Sequence, residues 1–434
     1  MTAGPINPVQ WLYDLQHSGL KLGLENIRQL LECMDHPEQA FIPVLIGGTN
    51  GKGSVTAMMD AIQRACGVRT GMFTSPHLVR LNERIRIDGL DITTPLLEQQ
   101  LTAVRKVMEQ GMAAGHISVQ PSFFETITAA AIRSIQESGV TIGLLEIGLG
   151  GRLDATNAVD NAELSIIVSI DYDHTKSLGP TLTEIAGEKG GIIKEGKPVI
   201  CGVRRQVPRQ VLQKIASERS APFIDVLEES RLSTGNDGLP SIETARGDYE
   251  GLRLSLPGDH QWHNARCAIV ALEKLADVAG FQLTAEGVAR GLAETRWAGR
   301  LETVPGKPPL LLDGAHNPAG VATLTRYLKE RHNDVKPVLL FGATREKDLD
   351  QVLEPLAAHV SGLVASRPDI NRAMEPEQIV NYGRDRFAPV LLRPDPADAL
   401  KAARDLAGTD GMVLVAGSLY LVGRIMELIE NEID

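Results

Sequence analysis

Short runs of apolar and β-branched residues alternate with helical patterns along this chain, and several of the runs end in glycine. This alternation is typical of βαβ units, in which parallel strands buried on both faces are joined by crossover helices. The pattern predicts an α/β fold with mainly parallel sheets. The predicted strands are residues 41–46, 70–74, 141–147, 164–170, 198–201, 309–312, 338–341, 362–365, 389–392 and 412–416.

The predicted strands fall into two series, which indicates two sheets and two domains. More than one domain is expected in a chain of 434 residues, because domains commonly contain about 100 to 200 residues. A helical pattern over residues 264–292 ends just before the second series, so we predict domains of residues 1–296 and 297–434. Polar residues at 233–238 predict a turn or an exposed loop.

The composition excludes several classes of protein. A net charge of -11 gives the chain no general affinity for nucleic acid or anionic membranes. The four cysteines lie far apart without a CxxC pair, which predicts neither a zinc site nor a disulfide framework. We find no secretory signal pattern and no uninterrupted apolar segment long enough for a membrane span. We therefore expect a soluble cytoplasmic protein.

Residues 41–67 contain the strongest candidate for a binding site, because an apolar strand passes through a glycine-rich turn into an amphipathic helix. Glycines let backbone N–H groups approach phosphates, and the helix N-terminus adds its positive dipole end. Lys52 is expected to contact terminal phosphates, with Ser54 or Thr49 near a metal. The strict G-x-x-x-x-G-K-[ST] pattern fails, since Ile46 replaces its first glycine and Gly53 follows Lys52. A turn that binds nothing is the alternative.

Three more polar segments follow predicted strands, at residues 75–77, 146–157 and 171–174. Ligands of parallel sheets bind beyond the carboxyl ends of the strands, so Ser75, Glu146 and His174 could hold Mg²⁺ beside phosphates. Magnesium prefers oxygen ligands, which makes His174 the least expected of the three. Taken singly, the three residues could instead be a turn hydroxyl, a buried ion-pair partner and a helix cap.

Nine motifs in a fixed order span most of the chain and together resemble the folylpolyglutamate synthase family of the Mur ligase superfamily, most of all its bacterial bifunctional members. The motifs are GTNGKGS (48–54), TSPHL (74–78), FFE (123–125), EIGLGGRLDATN (146–157), DHT (173–175), EKGGI (188–192), HNAR (263–266), WAGR (297–300) and DGAHNP (313–318).

The resemblance implies a Mur-ligase-like P-loop domain followed by a Rossmann-like domain. It implies a ligase that forms a C–N bond by using ATP to convert a carboxylate into an acyl phosphate, which an amine then attacks. The implied substrates are dihydropteroate, reduced folates and L-glutamate, with ATP and Mg²⁺, as two ions, as cofactors. Within the family the loop at residues 48–54 normally lacks the first glycine of the strict pattern.

The same resemblance assigns residues to these ligands. The implied ATP contacts are Asn50, Gly51, Lys52, Gly53, Ser54, Asn264, Arg300 and Asp313. Ser75, Glu146 and His174 become the magnesium ligands. Lys189 matches a carbamylated lysine that helps to position a second ion. The alternative for Lys189 is an ordinary surface lysine paired with Glu184 or Glu188.

Substrate contacts are implied in the same way. The pterin candidates are Phe124, Glu125, Leu153, Asp154 and Ala155, with residues 22–24 as a weaker match. Phe123 and Phe124 could equally be core residues. His316 and Ser418 are the candidates for the glutamate site. A polyglutamate tail is anionic, so an acidic protein needs a basic path, for which the candidates are Arg80, Arg84, Arg86 and Arg152.

Other functions remain as alternatives. A monofunctional folylpolyglutamate synthase would share every motif. A Mur-type ligase of peptidoglycan precursors would need an N-terminal UDP-binding domain, and only about 40 residues precede the loop, too few for a domain. A nucleotide-operated switch would have no use for the motifs of the second domain. We expect a monomer whose domains close over the substrates.

Overall fold

The computed structural model describes residues 7–17, 23–235 and 238–433. Within them the chain forms strands, numbered in chain order: β1 Ile42–Gly47, β2 Thr70–Phe73, β3 Ile85–Ile87, β4 Leu90–Asp91, β5 Ile142–Glu146, β6 Leu164–Ile167, β7 Val199–Cys201, β8 Phe223–Asp225, β9 Ser230–Thr234, β10 Pro240–Thr244, β11 Asp248–Tyr249, β12 Glu302–Val304, β13 Leu310–Leu312, β14 Val338–Phe341, β15 Gly362–Ala365, β16 Val390–Leu392 and β17 Val413–Ala416.

The α-helices of the described residues are α1 Pro8–Asp14, α2 Glu25–Cys33, α3 Lys52–Ala65, α4 Thr94–Ala113, α5 Phe123–Glu137, α6 Thr175–Leu178, α7 Leu182–Gly190, α8 Gln206–Glu218, α9 Val226–Glu229, α10 His260–Ala279, α11 Ala285–Glu294, α12 Pro318–Arg331, α13 Leu349–Val352, α14 Pro376–Gly383, α15 Pro396–Ala407 and α16 Leu419–Ile433. Short 3₁₀ turns include Leu81–Arg84 and Ala155–Ala158.

The larger sheet has eight strands in the order β4-β3-β2-β5-β1-β6-β7-β8. The six strands β2, β5, β1, β6, β7 and β8 each pair in parallel with the next. β3 and β4 form a hairpin at one edge, where β3 pairs antiparallel with β2. Successive side chains of a strand point to opposite faces. In β1, Val44 and Ile46 therefore pack with α3 and α10, whereas Leu45 packs with the helices on the other face. Burial on both faces explains the continuous apolar runs in the sequence.

A second sheet has six strands in the order β12-β13-β17-β14-β15-β16, all parallel except β12. It too is covered on both faces, so that Leu339 and Phe341 of β14 belong to one core and Leu340 to another. A small antiparallel sheet of β9, β10 and β11 precedes it in the chain. We use the name second domain for β12–β17 with α12–α16 and first domain for the elements before them.

The ten strands predicted from the sequence are all present, and the predicted two-domain α/β fold is confirmed. The main difference in length is the strand predicted at 164–170. Here β6 ends at Ile167 because the following residues turn toward the phosphate loop, where Ser169 accepts a hydrogen bond from the Thr49 N–H at 2.8 Å.

The single helix predicted over residues 264–292 is wrong. Gly280 has a left-handed backbone conformation, with φ 69°, and ends α10. Thr284 then starts α11, because its side chain accepts a hydrogen bond from the Gly287 N–H at 3.0 Å. Both are ordinary helix boundary signals, and they divide the stretch into two helices.

Several strands were not predicted. The β3–β4 hairpin turns at Asp88 and Gly89, which both have positive φ, and an Asp-Gly pair is a known signal for such a turn.

Residues 236 and 237 of the turn predicted at 233–238 lie outside the described residues, as does Leu22. Among the described residues, none of the helices has both the length and the hydropathy needed to cross a lipid bilayer.

Candidate functional site

The functional candidates of the first domain lie at one edge of the eight-stranded sheet, where β2, β5, β1 and β6 present their carboxyl ends side by side. β1 runs into the glycine-rich loop of residues 48–51, and β5 ends at Glu146. Ser75 and His174 follow β2 and β6. Parallel strands bring these residues together because their ends share one edge, as the sequence predicts.

The glycine-rich loop is held by the segment after β6. The Asn50 N–H donates to Ser169 Oγ at 2.9 Å, and Ser169 Oγ donates to the Asn50 carbonyl at 2.8 Å. Gly51 then adopts φ 86° immediately before α3, and no side chain caps this helix end. Lys52 Nζ lies over the loop, 3.2 Å from the Gly48 carbonyl oxygen. The N–H groups of the helix end are thus left for an anionic ligand.

Gly53, which breaks the strict phosphate-loop pattern, has a packing reason. A Cβ atom at this position would lie 2.5 Å from Nε1 of Trp297, in the motif that joins the two domains. Gly51 is similarly confined, since a Cβ atom there would lie 2.7 Å from Asn264 Oδ1. The loop therefore needs glycine at both positions because other parts of the chain approach its backbone closely.

Residues of both domains line a cavity of about 380 Å³ next to the loop. Most of the residues predicted from the sequence contribute to its wall: Asn50, Gly51, Lys52, Gly53, Ser54, Ser75, Glu146, His174, Lys189, Asn264, Arg300, Asp313 and His316. Among the described substrate candidates, Phe124, Glu125, Leu153, Asp154, Ala155 and Ser418 lie outside this lining. Residues 23 and 24 of the weaker pterin match and the arginines of the predicted basic path also lie outside it.

Glu146 is a buried carboxylate, only 5% exposed, whose Oε2 accepts a hydrogen bond from the Ser75 N–H at 3.3 Å. Burial raises its pKa, while Lys52, the Ser75 N–H and more distant arginines act in the opposite direction. Among the described residues, no lysine or arginine forms a direct ion pair with it. The alternative of a simple buried ion-pair partner therefore does not describe Glu146.

His174 has a left-handed backbone conformation, with φ 48°, at the start of α6, but its side chain does not cap the helix. Burial lowers the pKa of its imidazole to about 4, against the opposing charge of Asp173 and together with the charges of Lys347, His316 and Lys189. The ring is neutral near pH 7 and so offers a nitrogen lone pair to the cavity. No group of three or more His, Cys, Asp or Glu side chains is arranged to bind a metal within residues 7–17, 23–235 and 238–433.

Asp173 forms a link between the domains that the sequence does not predict. Its carboxylate accepts from Lys347 Nζ at 2.6 Å and from Asn317 Nδ2 at 2.9 Å, and it lies 3.4 Å from His316 Nε2. The Asp173 and Lys347 side chains are only 8% and 9% exposed. Burial alone would raise the pKa of Asp173, but the hydrogen bond and charge of His316, with those of His174 and Lys347, hold it well below its usual range.

Lys189 lies inside the protein rather than on a helix surface. Its Nζ donates to the Gly48 carbonyl at 2.9 Å, and the residue is 5% exposed. Glu188 pairs instead with Arg152, and Glu184 closes the capping box of α7. The surface ion pair is therefore wrong as a description of Lys189. Burial, with the nearby charge of Lys52, lowers the pKa of its amine to about 7.

Asn264 faces the loop from α10, where its Nδ2 donates to Oε1 of Gln261 at 2.8 Å. Gln261 is fully buried one turn earlier and was missed, although its i−3 spacing places it on the same helix face as Asn264. In the second domain, Asp313 accepts from the Leu301 and Ala315 N–H groups, both at 2.9 Å. Arg300 is half-buried, and desolvation lowers the pKa of its guanidinium while the charge of Asp313 acts in the opposite direction.

The candidate pterin residues form a separate group next to the cavity. A Cβ atom on Gly148 would lie 2.6 Å from Phe124 Cζ and 3.3 Å from Asp154 Oδ2, so this glycine brings the two side chains close. Phe124 is half-buried and tilts against Phe73, with ring centroids 5.9 Å apart. It is thus partly a core residue, as the alternative proposes, with part of its surface exposed.

The two carboxylates of this group, Asp154 and Glu125, differ in whether both of their oxygens have hydrogen-bond partners. Asp154 accepts from the Leu149 N–H at 2.8 Å and the Thr156 N–H at 3.0 Å, so it holds the turn that contains Leu153 and Ala155. Glu125 accepts from the Ser122 N–H through Oε2 at 2.7 Å, but its buried Oε1 has no hydrogen-bond partner among the described residues.

The remaining candidates are Ser418 and the four arginines predicted to form a basic path, and they differ in burial and in their partners. Ser418 is buried and accepts from the Tyr420 N–H at 3.2 Å, at the start of α16. Three of the arginines proposed for a basic path already pair with carboxylates, namely Arg80 with Glu430, Arg86 with Asp91 and Arg152 with Glu188. Arg84 differs, because it is buried and its Nε donates to His77 Nδ1 at 2.9 Å.

Known proteins are similar to this chain over nearly its whole length. A model of the Mur ligase, glutamate ligase domain matches residues 299–419. The dihydrofolate synthase/folylpolyglutamate synthase of Bacillus subtilis is 34% identical over 423 residues, which cover 96% of each chain.

Two solved structures are similar over nearly their whole length. Escherichia coli FolC in complex with DHPP and ADP superimposes with a TM-score of 0.88 at 28% identity, covering 100% of both chains. The Yersinia pestis bifunctional folylpolyglutamate synthase/dihydrofolate synthase complexed with AMPPNP and Mn ion gives a TM-score of 0.85 at 27% identity, covering 99% of this chain and 100% of the other. The present chain therefore belongs to the dihydrofolate synthase/folylpolyglutamate synthase family of Mur ligases, ATP-dependent enzymes that form C–N bonds.

Proposed function

We propose that this enzyme uses Mg-ATP to activate the carboxylate of dihydropteroate, and of reduced folates, and joins it to the amine of L-glutamate. One observation carries the proposal: a phosphate-type loop, a buried carboxylate and residues of the second domain line a single cavity. The ADP and AMPPNP complexes of two related enzymes support the choice of nucleotide.

In this proposal the triphosphate lies against the uncapped N-terminus of α3, where Asn50, Gly51, Gly53 and Ser54 surround Lys52. The Lys52 ammonium has only backbone carbonyl oxygens as its hydrogen-bond partners among the described residues. It is therefore able to turn toward phosphate oxygens without breaking an ion pair. Asn264, Arg300 and Asp313 contact the rest of the nucleotide from α10 and the second domain.

Magnesium fits the donors at the sheet edge. Glu146 is buried and forms no ion pair among the described residues, so a divalent ion would offset the cost of its burial. Ser75 supplies a hydroxyl, and the neutral His174 supplies a nitrogen. The mixed, incomplete set suits Mg²⁺, which keeps waters and shares phosphate oxygens. The Mn ion of the Yersinia pestis complex supports a divalent metal, and we propose two Mg²⁺ ions, which supply charge stabilisation for phosphoryl transfer.

Lys189 is proposed to carry a carbamate. A neutral amine adds through its lone pair to carbon dioxide and then loses a proton, so a cation is replaced by an anionic oxygen ligand. Burial makes the neutral amine accessible near pH 7. The modified side chain would lie beside Gly48 and help to position the second ion. Incubation with ¹³C-labelled bicarbonate should give a carbamate signal in the wild-type protein that K189M lacks.

The reaction begins when an oxygen of the substrate carboxylate attacks the γ-phosphorus of ATP and ADP leaves. The glutamate amine then attacks the acyl phosphate, loses a proton and expels phosphate from a tetrahedral intermediate. Lys52 stabilises negative charge on the transferred phosphoryl group and takes no part as an acid or base. Water would hydrolyse the acyl phosphate, so we infer that closure of the second domain excludes it.

The pterin is proposed to bind against Phe124, with its N–H donors directed at the free Oε1 of Glu125. An orphaned, buried carboxylate oxygen is costly unless a ligand satisfies it, which supports this position. Asp154 acts indirectly by holding the turn of Leu153 and Ala155. His316 and Ser418 are proposed to serve glutamate from the second domain.

We also propose a domain boundary between residues 296 and 297, which the start of the six-stranded sheet at Glu302 supports. We also propose that the enzyme acts as a monomer on small molecules, without nucleic acid. All four cysteines carry free thiols, which supports our choice of the cytoplasm as its location.

Phosphate release from ATP tests the proposal when each co-substrate is omitted in turn. We expect release to require both L-glutamate and either dihydropteroate or a reduced folate. Activity with reduced folate alone would identify a monofunctional folylpolyglutamate synthase. Phosphate release at the same rate in the absence of both co-substrates would contradict the ligase reaction for this chain. A UDP-linked muramyl precursor in place of the pterin tests the Mur-type alternative and is expected to give none.

A further inference from the structure

Arg84 is a buried cation for which the described residues provide no carboxylate partner. It is 7% exposed, and burial lowers the pKa of its guanidinium. Its Nε donates to His77 Nδ1 at 2.9 Å. No hydrogen bond from its two terminal nitrogens is found within residues 7–17, 23–235 and 238–433. A buried charge without compensation is costly, so the guanidinium is suited to receive an anion.

The surroundings of Arg84 locate that anion. The Arg84 guanidinium carbon lies 5.4 Å from the centroid of the Phe123 ring, next to the pterin candidates. The loop that leads to Arg84 also packs near Ser418, because Leu78 lies against the core that contains Leu421 and Val422 of α16. Just before this loop, the Ser75 N–H donates to Glu146 at the metal candidates. Arg84 therefore lies where the proposed pterin, glutamate and metal sites meet.

The loop that carries both residues is firmly held. The carboxylate of Glu83 accepts hydrogen bonds from the N–H groups of Leu78, Val79 and Arg80, at 2.7, 2.8 and 2.7 Å. Glu83 is thus occupied by the backbone and is not a side-chain partner for Arg84. A fixed backbone still leaves the long arginine side chain free to rotate, unless another group holds its end.

His77 is that group. Arginine only donates hydrogen bonds, so His77 Nδ1 must accept, which requires a neutral imidazole with its proton on Nε2. Because the bond uses the Arg84 Nε–H, both terminal nitrogens remain available. They form the side of the guanidinium fork that binds a carboxylate through two parallel hydrogen bonds.

We propose that His77 is a positioning residue whose Nδ1 orients the Arg84 guanidinium to bind a substrate carboxylate at the junction of the pterin, glutamate and metal sites. This inference rests on the proposed function and adds a residue to it. The carboxylate belongs either to the incoming L-glutamate or to the pteroate that is to be activated, since both reach this junction.

Two substitutions separate the hydrogen bond from simple packing. H77F keeps a ring of similar size and removes the acceptor, whereas H77N loses the ring and keeps an oxygen at the branch position of Nδ1. We expect H77F to raise the KM for the bound carboxylate substrate about tenfold, as expected for the loss of a hydrogen bond to a charged group. The KM for ATP should not change, and H77N should remain within about twofold of wild type.

Separate titrations of L-glutamate and dihydropteroate identify the source of the carboxylate. A higher KM for glutamate alone assigns Arg84 to the incoming amino acid, and a higher KM for dihydropteroate alone assigns it to the pteroate. Calorimetric binding of the same ligands without turnover should show matching losses. If H77F proves unfolded, H77A removes the same acceptor without adding bulk.

The pattern opposite to our expectation, with H77F like wild type and H77N impaired, would show a packing role and overturn the inference. KM values of H77F that equal those of the wild type for every substrate would also overturn the inference. In an R84K background, H77F should have no further effect, because the orienting partner is already gone. An inactive wild-type enzyme would contradict the proposed function itself, whereas an active wild type with an unaffected H77F would contradict only the role of His77.

Discussion

The side-chain amides of Asn50 and Asn317 exchange two hydrogen bonds between the domains, from Asn50 Nδ2 to Asn317 Oδ1 at 3.1 Å and from Asn317 Nδ2 to Asn50 Oδ1 at 2.9 Å. Asn317 Oδ1 also accepts from the Gly320 N–H at 2.9 Å and so caps α12. Asn50 is part of the phosphate loop. The start of a helix in the second domain is therefore bonded directly to the nucleotide candidate site of the first.

The first prediction concerns this amide pair. N317D keeps the oxygen that caps α12 but loses both N–H donors and places a negative charge near Asp173. We expect the KM for ATP to rise about tenfold or more, while the melting temperature of the protein changes little because the cap of α12 is kept. N317S, which retains a capping hydroxyl without the added charge, serves as the control and should be impaired less. Equal effects of the two variants would mean that charge repulsion plays no part.

The second prediction concerns Lys52. K52A should reduce kcat by about 10² to 10³, because a preorganised group that stabilises transferred charge is lost. Its stability should remain close to that of wild type, since Nζ has only loop carbonyls as hydrogen-bond partners among the described residues. Steady-state phosphate release and urea unfolding measure the two effects. K214A, at an exposed lysine of α8, is the matched control. An unfolded K52A would mean that Lys52 is needed for the fold.

The third prediction concerns the contact between Gly53 and Trp297. G53A would place a methyl group against the indole, which we expect to destabilise the protein by about 1–3 kcal/mol and to weaken nucleotide binding. G187A is the control, because a Cβ atom at this glycine of α7 meets nothing within 4 Å. It should stabilise the helix by about 0.5–1 kcal/mol. Replacing Trp297 with the smaller Phe should partly rescue G53A in urea unfolding.

The fourth prediction concerns the pH dependence that Lys189 imposes. Its pKa falls from 10.5 to about 7 on folding because the amine is buried. Between these values the unfolded chain binds a proton that the folded chain does not, so stability should rise with pH across this window. The cost of burying Lys189 is full below about pH 7 and absent above the unfolded pKa.

Urea unfolding in bicarbonate-free buffer measures this effect, because carbamylation would alter the titration. Relative to K189M, the wild-type protein should gain up to about 1.4 kcal/mol per pH unit within the window. K214M, at an exposed lysine, should follow the wild-type curve. Parallel curves for wild type and K189M would show that the amine titrates normally in the folded protein.

The fold could be predicted to the extent that local sequence reflects burial. Strands such as β1 and β14 are covered on both faces, so their residues form continuous apolar runs. The small sheet of β9–β11 was missed because its strands mix exposed polar residues with buried ones. The boundary between α10 and α11 was missed because one helical pattern was predicted across Gly280 and Thr284, without using them as boundary signals.

The parts of the candidate site that lie in local motifs could likewise be predicted, and the parts that depend on distant contacts could not. The loop around Lys52 and the strand ends at Ser75 and Glu146 are contiguous motifs, so their grouping follows from the rule that parallel strands end at one edge. Lys347 was missed because its partner Asp173 is 174 residues away, and no local pattern links the two. The pairing of His77 with Arg84 was missed although the two residues are close in sequence. The role that we propose for the pair follows from the burial of Arg84, which the sequence does not show.

By itself, the amino-acid sequence determined the α/β class, the positions of the buried strands, the glycine-rich loop and the family to which its motifs are similar. Only the tertiary structure decided that Lys189 is buried against Gly48 and that Asn50 meets Asn317 across 267 residues of chain. It also decided that one oxygen of Glu125 is buried without a hydrogen-bond partner among the described residues. The physical reason is that periodicity and turn residues act over a few positions. Burial, pKa and contacts between domains depend instead on how distant segments pack.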